Sequence, residues 1–310
     1  MPEPHASGFV SIAGRPNAGK STLLNALVGG KVAITSSKPQ TTRTSIQGIL
    51  TLPEAQIVFL DTPGIHESTT LLNKRMMDTV RAALDSRDLI LFLADALAPF
   101  TPQDAKAVDV TRNLETPVLL VLTKIDRLDD KRRLLPLIEH YKALRKFAEY
   151  LPVSAVTGAG LDDLKQAVIA RLPQGPPWFP ADYITDQPER FMAAELIREK
   201  ILAETRQEVP HSVAVVVDRW EDTPRLTRIN ATIYVERPGQ KAIVIGPKGA
   251  TLKKVGTLAR LDMETMFGRK IFLELFVKVR PDWRQSPEFL NAIDWRTMRG
   301  TELDTGPETK

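Results

Sequence analysis

Glycine, lysine and serine are spaced for phosphate chemistry in Gly14-Arg15-Pro16-Asn17-Ala18-Gly19-Lys20-Ser21. The two glycines let the backbone curl until successive N–H groups face inward, toward phosphate oxygens. Lys20 brings a mobile positive charge for the terminal phosphates, and the Ser21 hydroxyl suits Mg²⁺. Further along, Asp61-Thr62-Pro63-Gly64 joins a carboxylate able to hold Mg²⁺ through its water shell to a glycine N–H able to approach a γ-phosphate. Thr123-Lys124-Ile125-Asp126 then selects the base. A carboxylate at Asp126 accepts from the N1–H and N2–H₂ of guanine, a donor pair that adenine lacks. The Lys124 stem can lie along the base plane, and Ser154-Ala155 can offer a backbone N–H to the guanine O6.

These loops need elements to carry them. The apolar run Phe9–Ala13 reads as a strand into the first loop, and Thr22–Val28 has the apolar spacing of a helix out of it. Gly29–Arg43, rich in Ser and Thr, reads as an exposed loop. Thr44–Leu52 and Gln56–Leu60 read as strands joined by a turn. Strands at Leu89–Ala94, Pro117–Leu122 and Leu151–Val153 then alternate with helices at Pro102–Leu114, Leu134–Tyr150 and Leu161–Leu172. That alternation predicts an α/β domain, a mostly parallel sheet with helices on both faces. Each candidate loop falls at the carboxyl end of a strand, so all four share one rim.

The 310 residues suit about two domains, and 43% apolar with 26% charged is ordinary globular composition. There is no cysteine, which excludes disulfides and thiolate metal sites. The four histidines, His5, His66, His140 and His211, are scattered and do not stand at metal-site spacing. Met1–Phe9 has neither an apolar core nor a basic leader, so no signal peptide is expected. The strongest apolar run, Leu89–Ala94, is too short to span a bilayer, and a cytoplasmic location is expected. A net charge of +4 permits a nucleic-acid or membrane-surface partner.

The expected boundaries are 1–172 for the nucleotide domain, 173–189 for a proline-rich linker, 190–281 for a smaller α+β domain and 282–310 for a tail. Pro173, Pro176, Pro177, Pro180 and Pro188 deny the linker a helix or a central strand. In the second domain Arg190–Arg206 is helical, and His211–Trp220 and Arg228–Glu236 are β-rich. The apolar segment Ala242–Ile245, the loop Gly246-Pro247-Lys248-Gly249, a helix to Phe267 and a strand over Lys270–Arg280 follow. A GxxG loop before a helix is the backbone clamp with which KH domains grip single-stranded RNA. Arg237, Lys241, Lys248, Lys253, Lys254 and Arg260 surround it, with no acidic residue in that stretch. The RNA-binding candidates are Arg237, Lys241, Gly246, Pro247, Lys248, Gly249, Lys253 and Lys254.

In order, the four nucleotide loops look like the G motifs of a translation-factor-class GTPase. Gln40-Thr41-Thr42-Arg43 is similar to switch I of the bacterial group that includes TrmE, Era and EngA. With a KH module behind it, the chain resembles the Era family of ribosome-assembly GTPases over nearly its whole length. Arg190–Met192, Ile197–Lys200, Tyr234–Arg237, Gln240–Gly249 and Leu273–Val279 carry the resemblance into the second domain. It implies a switch that binds and hydrolyses GTP and binds the 3′ end of 16S rRNA during assembly and maturation of the small (30S) ribosomal subunit. It also implies a monomer loosely associated with the cytoplasmic membrane.

By that resemblance Gly14 to Thr22, Asp61 to Ile65, Thr123 to Asp126, and Ser154 with Ala155 contact GTP or GDP. Ser21, Thr42 and Asp61 hold Mg²⁺, with Thr41 the alternative to Thr42, and Lys20, Asn17, Thr42 and Gly64 serve catalysis. Asn17 resembles the asparagine that lets relatives bind K⁺ near the phosphates. Two positions depart from the commoner pattern. Thr123 replaces an asparagine, which predicts weaker guanine affinity, and Ile65 replaces a water-orienting glutamine, which predicts slow intrinsic hydrolysis. Two rival readings are an RNA-binding protein with a vestigial nucleotide site and a metabolic P-loop kinase or ATPase. Asp126 speaks against the second.

Overall fold

The computed structural model describes residues 5–65, 70–85, 87–205 and 209–294. They divide into two compact units, the first running to Asp186 and the second from Gln187 on, with the short piece Thr70–Leu72 grouped with the second. The first unit is built on β1 (Ala6–Gly14), α1 (Lys20–Val28), β2 (Ile46–Thr51), β3 (Ala55–Asp61), α2 (Leu71–Leu84), β4 (Leu89–Asp95), α3 (Pro102–Asp109), β5 (Val118–Thr123), α4 (Leu134–Lys142), β6 (Glu149–Pro152) and α5 (Leu161–Ile169). Its strands form one sheet in the order β2-β3-β1-β4-β5-β6. Only the β2–β3 pair is antiparallel. Every residue of β5 is buried, as a parallel strand covered on both faces must be. Phe92, Leu120 and Leu122 pack with α2, α3 and α4 through Val80, Val108 and Tyr141. Leu91, Leu93, Leu119 and Val121 point to the other face and are equally buried.

Several helices differ from expectation. The helix expected over 102–114 stops at Asp109, where the buried Thr111 hydroxyl donates back to the Val108 carbonyl at 2.8 Å. That expected over 134–150 stops at Lys142, because Leu144 and Phe147 turn into the core. Helix α2 was not singled out by the sequence reading, although Leu72, Met76 and Val80 recur at helical spacing and are buried.

The proline-rich segment before residue 187 is no free spacer. It lies as a strap against the first unit. Ser7 N–H donates to Pro173 O, and Gly175 N–H donates to His5 O. The fully buried Gln56 takes hold of its middle. Its Oε1 accepts from the N–H groups of Trp178 and Phe179 at 2.6 and 2.9 Å, and its Nε2 donates to Phe179 O at 2.8 Å. Beyond, Ile49 N–H donates to Ile184 O and the Thr185 hydroxyl donates to Gln47 O, so the strap runs along the outer edge of β2.

The second unit comprises α6 (Glu189–Glu204), α7 (Val209–Ser212), β7 (Ala214–Asp222), β8 (Thr227–Val235), α8 (Pro238–Ile245), α9 (Ala250–Phe267), β9 (Ile271–Val279) and α10 (Pro287–Ala292). Its sheet runs β7-β8-β9, antiparallel and then parallel. The tail expected from residue 282 begins inside this unit. Trp283 is fully buried and donates its indole N–H to Ser212 O at 3.0 Å, and Phe289 of α10 lies edge-on against Tyr234. The rest of the expected tail, 295–310, lies outside the described residues.

Candidate functional site

The loop after β1 bends where its glycines allow. Gly14 has φ +144°, and a Cβ there would run into the Leu93 backbone; Gly19 has φ +85° and caps α1. No acidic residue occupies the first turn of α1 and no side chain caps it, so its N–H groups remain open to an anion. Lys20 curls back to donate to the carbonyls of Gly14 and Arg15 at 3.2 and 2.8 Å. Burial pushes its ammonium down to about 8, against the opposing pull of Asp61.

Three oxygen donors from distant parts of the sequence meet beside it. The Ser21 hydroxyl donates to Asp61 Oδ2 at 2.6 Å and lies 2.8 Å from Thr42 Oγ1, which reaches the same carboxylate oxygen at 3.2 Å. Asp61 is fully buried, and Oδ1 has no hydrogen-bond partner among the described residues. Burial pushes this carboxyl up to about 6, although Lys20, Ser21, Thr42 and the Thr62 N–H all favour the charge. A buried carboxylate with one unused oxygen and two hydroxyls is a hard donor set that fits Mg²⁺. Thr41 is turned elsewhere, its hydroxyl donating to Lys38 O at 2.7 Å. Gly64 lies so close to the loop that a Cβ would stand 2.7 Å from Pro16 N. The cleft is also lined by Gln40 of the switch I stretch and by Thr35, Ser36 and Lys38, for which the sequence predicts only an exposed loop. Their hydroxyls and the Lys38 charge were the available signal.

At the guanine end, Lys124 Nζ donates to Asn17 O at 2.8 Å and pairs with Asp95 Oδ2 at 2.6 Å. Asp95 was not anticipated, although it ends β4 on the same rim. The Thr123 hydroxyl lies within bonding distance of two carbonyls, Ala18 O at 2.9 Å and Ala94 O at 3.2 Å, and so ties the base-selecting loop to the phosphate loop. Asp126 is exposed on a short 3-10 turn. Ser154 is buried, and its hydroxyl accepts from Thr157 N–H. Ala155, beside it, is half-buried.

Three expected nucleotide contacts point away. The Arg15 guanidinium donates to Thr101 and Asp104 at 2.9 and 2.7 Å, and Asp104 is held in turn by the Tyr141 hydroxyl. Ile65 turns into the core beside Ala13 and Met77, and Ile125 packs against the same cluster. The apolar side chains follow the hydrophobic core and leave only their backbones near the rim.

In the second unit the GxxG loop is strained into a clamp. Gly246, Lys248 and Gly249 have φ of 72°, 49° and 78°, and a Cβ on Gly246 would collide with Thr251. Nothing stands within 4 Å of where a Gly249 Cβ would be, so the backbone there is open to a close ligand. Behind the loop, Leu252, Lys253, Gly256 and Arg260 of α9 face Leu273 and Leu275 of β9 across a groove of about 400 Å³. Leu273, Leu275 and Gly256 were not among the RNA candidates. Lys248 and Lys253 are exposed, whereas Lys254 pairs with Glu204 at 2.8 Å and Arg260 with Glu264 at 3.0 Å.

A phosphate loop, a buried carboxylate–hydroxyl set and a guanine-selecting rim, followed by a GxxG module, define a P-loop GTPase joined to a KH domain. Residues 9–124 match the family model described as 50S ribosome-binding GTPase, and residues 208–284 match the KH domain model. GTPase Era of Geobacter metallireducens is 50% identical over 94% of this chain and 98% of its own. GTPase Era of Syntrophus aciditrophicus is 50% identical over 93% and 95%. Two solved structures each share 42% identity and cover 94% of this chain and 99% of the other. One is a variant of Aquifex aeolicus Era bound to GDP·AlF₄⁻, with TM-score 0.90. The other is Era with MgGDPNP and nucleotides 1506–1542 of 16S ribosomal RNA, with TM-score 0.91. This chain belongs to the Era family of GTPases.

Proposed function

We propose that this chain is a GTP-driven switch that binds the 3′ end of 16S rRNA through its KH groove and assists assembly and maturation of the small ribosomal subunit. The observation that carries the switch is the meeting of Ser21, Thr42 and Asp61, because Thr42 lies in the loop that GTP would order. In this reading the backbone N–H groups of residues 17–21 and the Lys20 ammonium bind the β- and γ-phosphates. Ser21, Thr42 and Asp61 would hold Mg²⁺, which neutralises charge developing on the transferred phosphoryl group. Gly64 brings its N–H to the γ-phosphate. Asp126 reads the guanine edge, Lys124 supports the base from its anchor on Asp95, and the Ala155 N–H reaches O6. Loss of the γ-phosphate removes one of the groups that would hold Thr42 beside Ser21 and Asp61, and the loop 29–43 is loosened.

No side chain at position 65 is available to orient water, because Ile65 is in the core. Hydrolysis is therefore slow unless a cation helps. The Asn17 side chain is exposed at the cleft and is the candidate K⁺ ligand. On the RNA side, the backbone of Gly246–Gly249 and the side chains of Arg237, Lys241, Lys248, Lys253 and Lys254 hold phosphates while bases enter the groove. Among the described residues no helix is long and apolar enough to cross a membrane. A monomer working in the cytoplasm, with weak peripheral binding to the membrane, completes the proposal; vesicle flotation tests its last element.

Steady-state hydrolysis of GTP against ATP, in K⁺ and in Na⁺, with and without the 3′ end of 16S rRNA, tests the whole. GTP-selective turnover raised by K⁺ and by RNA is expected. Turnover of ATP, or of neither nucleotide under any condition, refutes the switch and leaves an RNA-binding protein.

A further inference from the structure

Strand β9 presents two faces. Leu273 and Leu275 line the groove beneath the GxxG loop. Phe272 and Phe276 alternate with them and so lie on the opposite face, where they are 44% and 51% exposed. Among the described residues β9 pairs only with β8, so it is an edge strand, and a single backbone separates groove from outer face.

A lone exposed phenylalanine needs no explanation. Two on one face, roughly 13 Å apart along an edge strand, form a surface. Cations flank the rings, and carboxylates stand on the same sheet, with Glu221 opposite Arg228 and Asp218 accepting from the Thr232 hydroxyl. Arg228, opposite Phe272 in the register, places its guanidinium 5.4 Å from that ring. Lys278, next beyond Phe276 on the same face, is exposed. The intervening carboxylate, Glu274, is engaged by Asn230 Nδ2 at 3.0 Å. Helix α10 reaches this face at Tyr234, through Phe289, and leaves the two rings open.

Exposed aromatic rings beside cations are the surface on which single-stranded bases stack without sequence preference. We propose that Phe272 and Phe276 form a stacking shelf, continuous with the GxxG groove around the edge of β9, for RNA nucleotides flanking those in the clamp. The occupant is the same RNA strand, and the inference rests on the RNA-binding reading above. Continuity with the groove is what selects RNA over other partners for an aromatic face.

The test uses the full chain and labelled RNA from the 3′ end of 16S rRNA in two lengths. One is a core of about four nucleotides, the number a KH loop clamps, and the other is that core lengthened by about four on each side. Stacking on an aromatic side chain is worth roughly 5- to 150-fold per base, so the wild type should hold the longer RNA at least about fivefold tighter. Phe272→Leu with Phe276→Leu keeps apolar side chains but removes the rings. It should lose that advantage while core binding and GTP hydrolysis stay unchanged. Phe272→Trp with Phe276→Trp should keep or increase the advantage, which separates stacking from any loss of folding. Equal affinity of wild type and leucine variant for the longer RNA overturns the shelf. Wild-type chain that binds the core but gains nothing from its extension also overturns it. Wild-type chain that binds neither RNA overturns the underlying reading as well.

Discussion

Replacing Asp61 by asparagine separates two quantities that the carboxylate ties together, the stability of the ligand-free fold and its hold on metal. The folded protein raises this carboxyl from 3.8 to about 6. At about 1.4 kcal/mol per pH unit, keeping it ionised at pH 7 costs the ligand-free fold about 3 kcal/mol. Asparagine removes that cost but places an amide where Oδ1 has no partner, at a penalty of about 1–2 kcal/mol. The net expectation is a gain of about 1 kcal/mol, or about 2–4 °C for a unit of this size. Because Asp61 titrates higher when folded than when unfolded, its contribution to stability is complete below about 3.8 and is lost as pH rises through about 6. The variant's advantage should therefore shrink from pH 7 to pH 4. Calorimetric melting of nucleotide-free protein in EDTA measures this. Mg²⁺ and GDP at about 100 times Kd should add about 2.7 kcal/mol to the wild type and much less to the variant. A ligand-free variant that melts below the wild type by the same interval at every pH would refute the reasoning.

Gly64→Ala puts a Cβ 2.7 Å from Pro16 N, so the loop must retreat from the phosphates. Hydrolysis should fall on the order of 100-fold with GDP affinity nearly kept, and single-turnover kinetics would show an unchanged rate if the approach of Gly64 is irrelevant. Asp95→Ala removes the 2.6 Å partner of Lys124 and should speed release of a fluorescent GDP about tenfold without loss of guanine selectivity. Gln56→Ala leaves the N–H groups of Trp178 and Phe179 unpaired. It should destabilise the first unit by about 2–4 kcal/mol and open residues 173–186 to limited proteolysis, whereas an intact strap would mean that its other contacts suffice.

The phosphate loop was legible because its chemistry is local: two glycines, a lysine and a serine act within eight consecutive positions. The buried strands were legible because burial on both faces leaves an unbroken apolar run, as in Val118–Leu122. The choice between Thr41 and Thr42 was not legible, since the two are adjacent and chemically alike. It depends on which hydroxyl the loop aims at Asp61 and which it spends on Lys38. Arg15 misled because its position in the motif says nothing of a carboxylate at Asp104 that lies far along the chain. The end of α4 was overrun because neither glycine nor proline marks it; Phe147 leaves the helix for a place in the core. In the second unit the sequence displayed the GxxG loop but not the opposing wall of its groove. Leu273 and Leu275 look like any strand residues until β9 is placed beside α9. The charge run was equally incomplete, because Glu204 and Glu264, which neutralise Lys254 and Arg260, come from outside it.

The strap along β2 also guards an edge. β2 is the terminal strand of the sheet, and without the strap Ile49 N–H and Gln47 O would face solvent as an open template for another chain. The fold of the first unit is thus complete only at Asp186, and a domain cut after Leu172 would carry an unprotected strand into solution. Such a fragment should self-associate edge to edge, while one ending at Asp186 should stay apart from its copies. Where a chain can be divided is decided here by which backbone groups remain covered, and fourteen proline-rich residues that look dispensable belong to the GTPase.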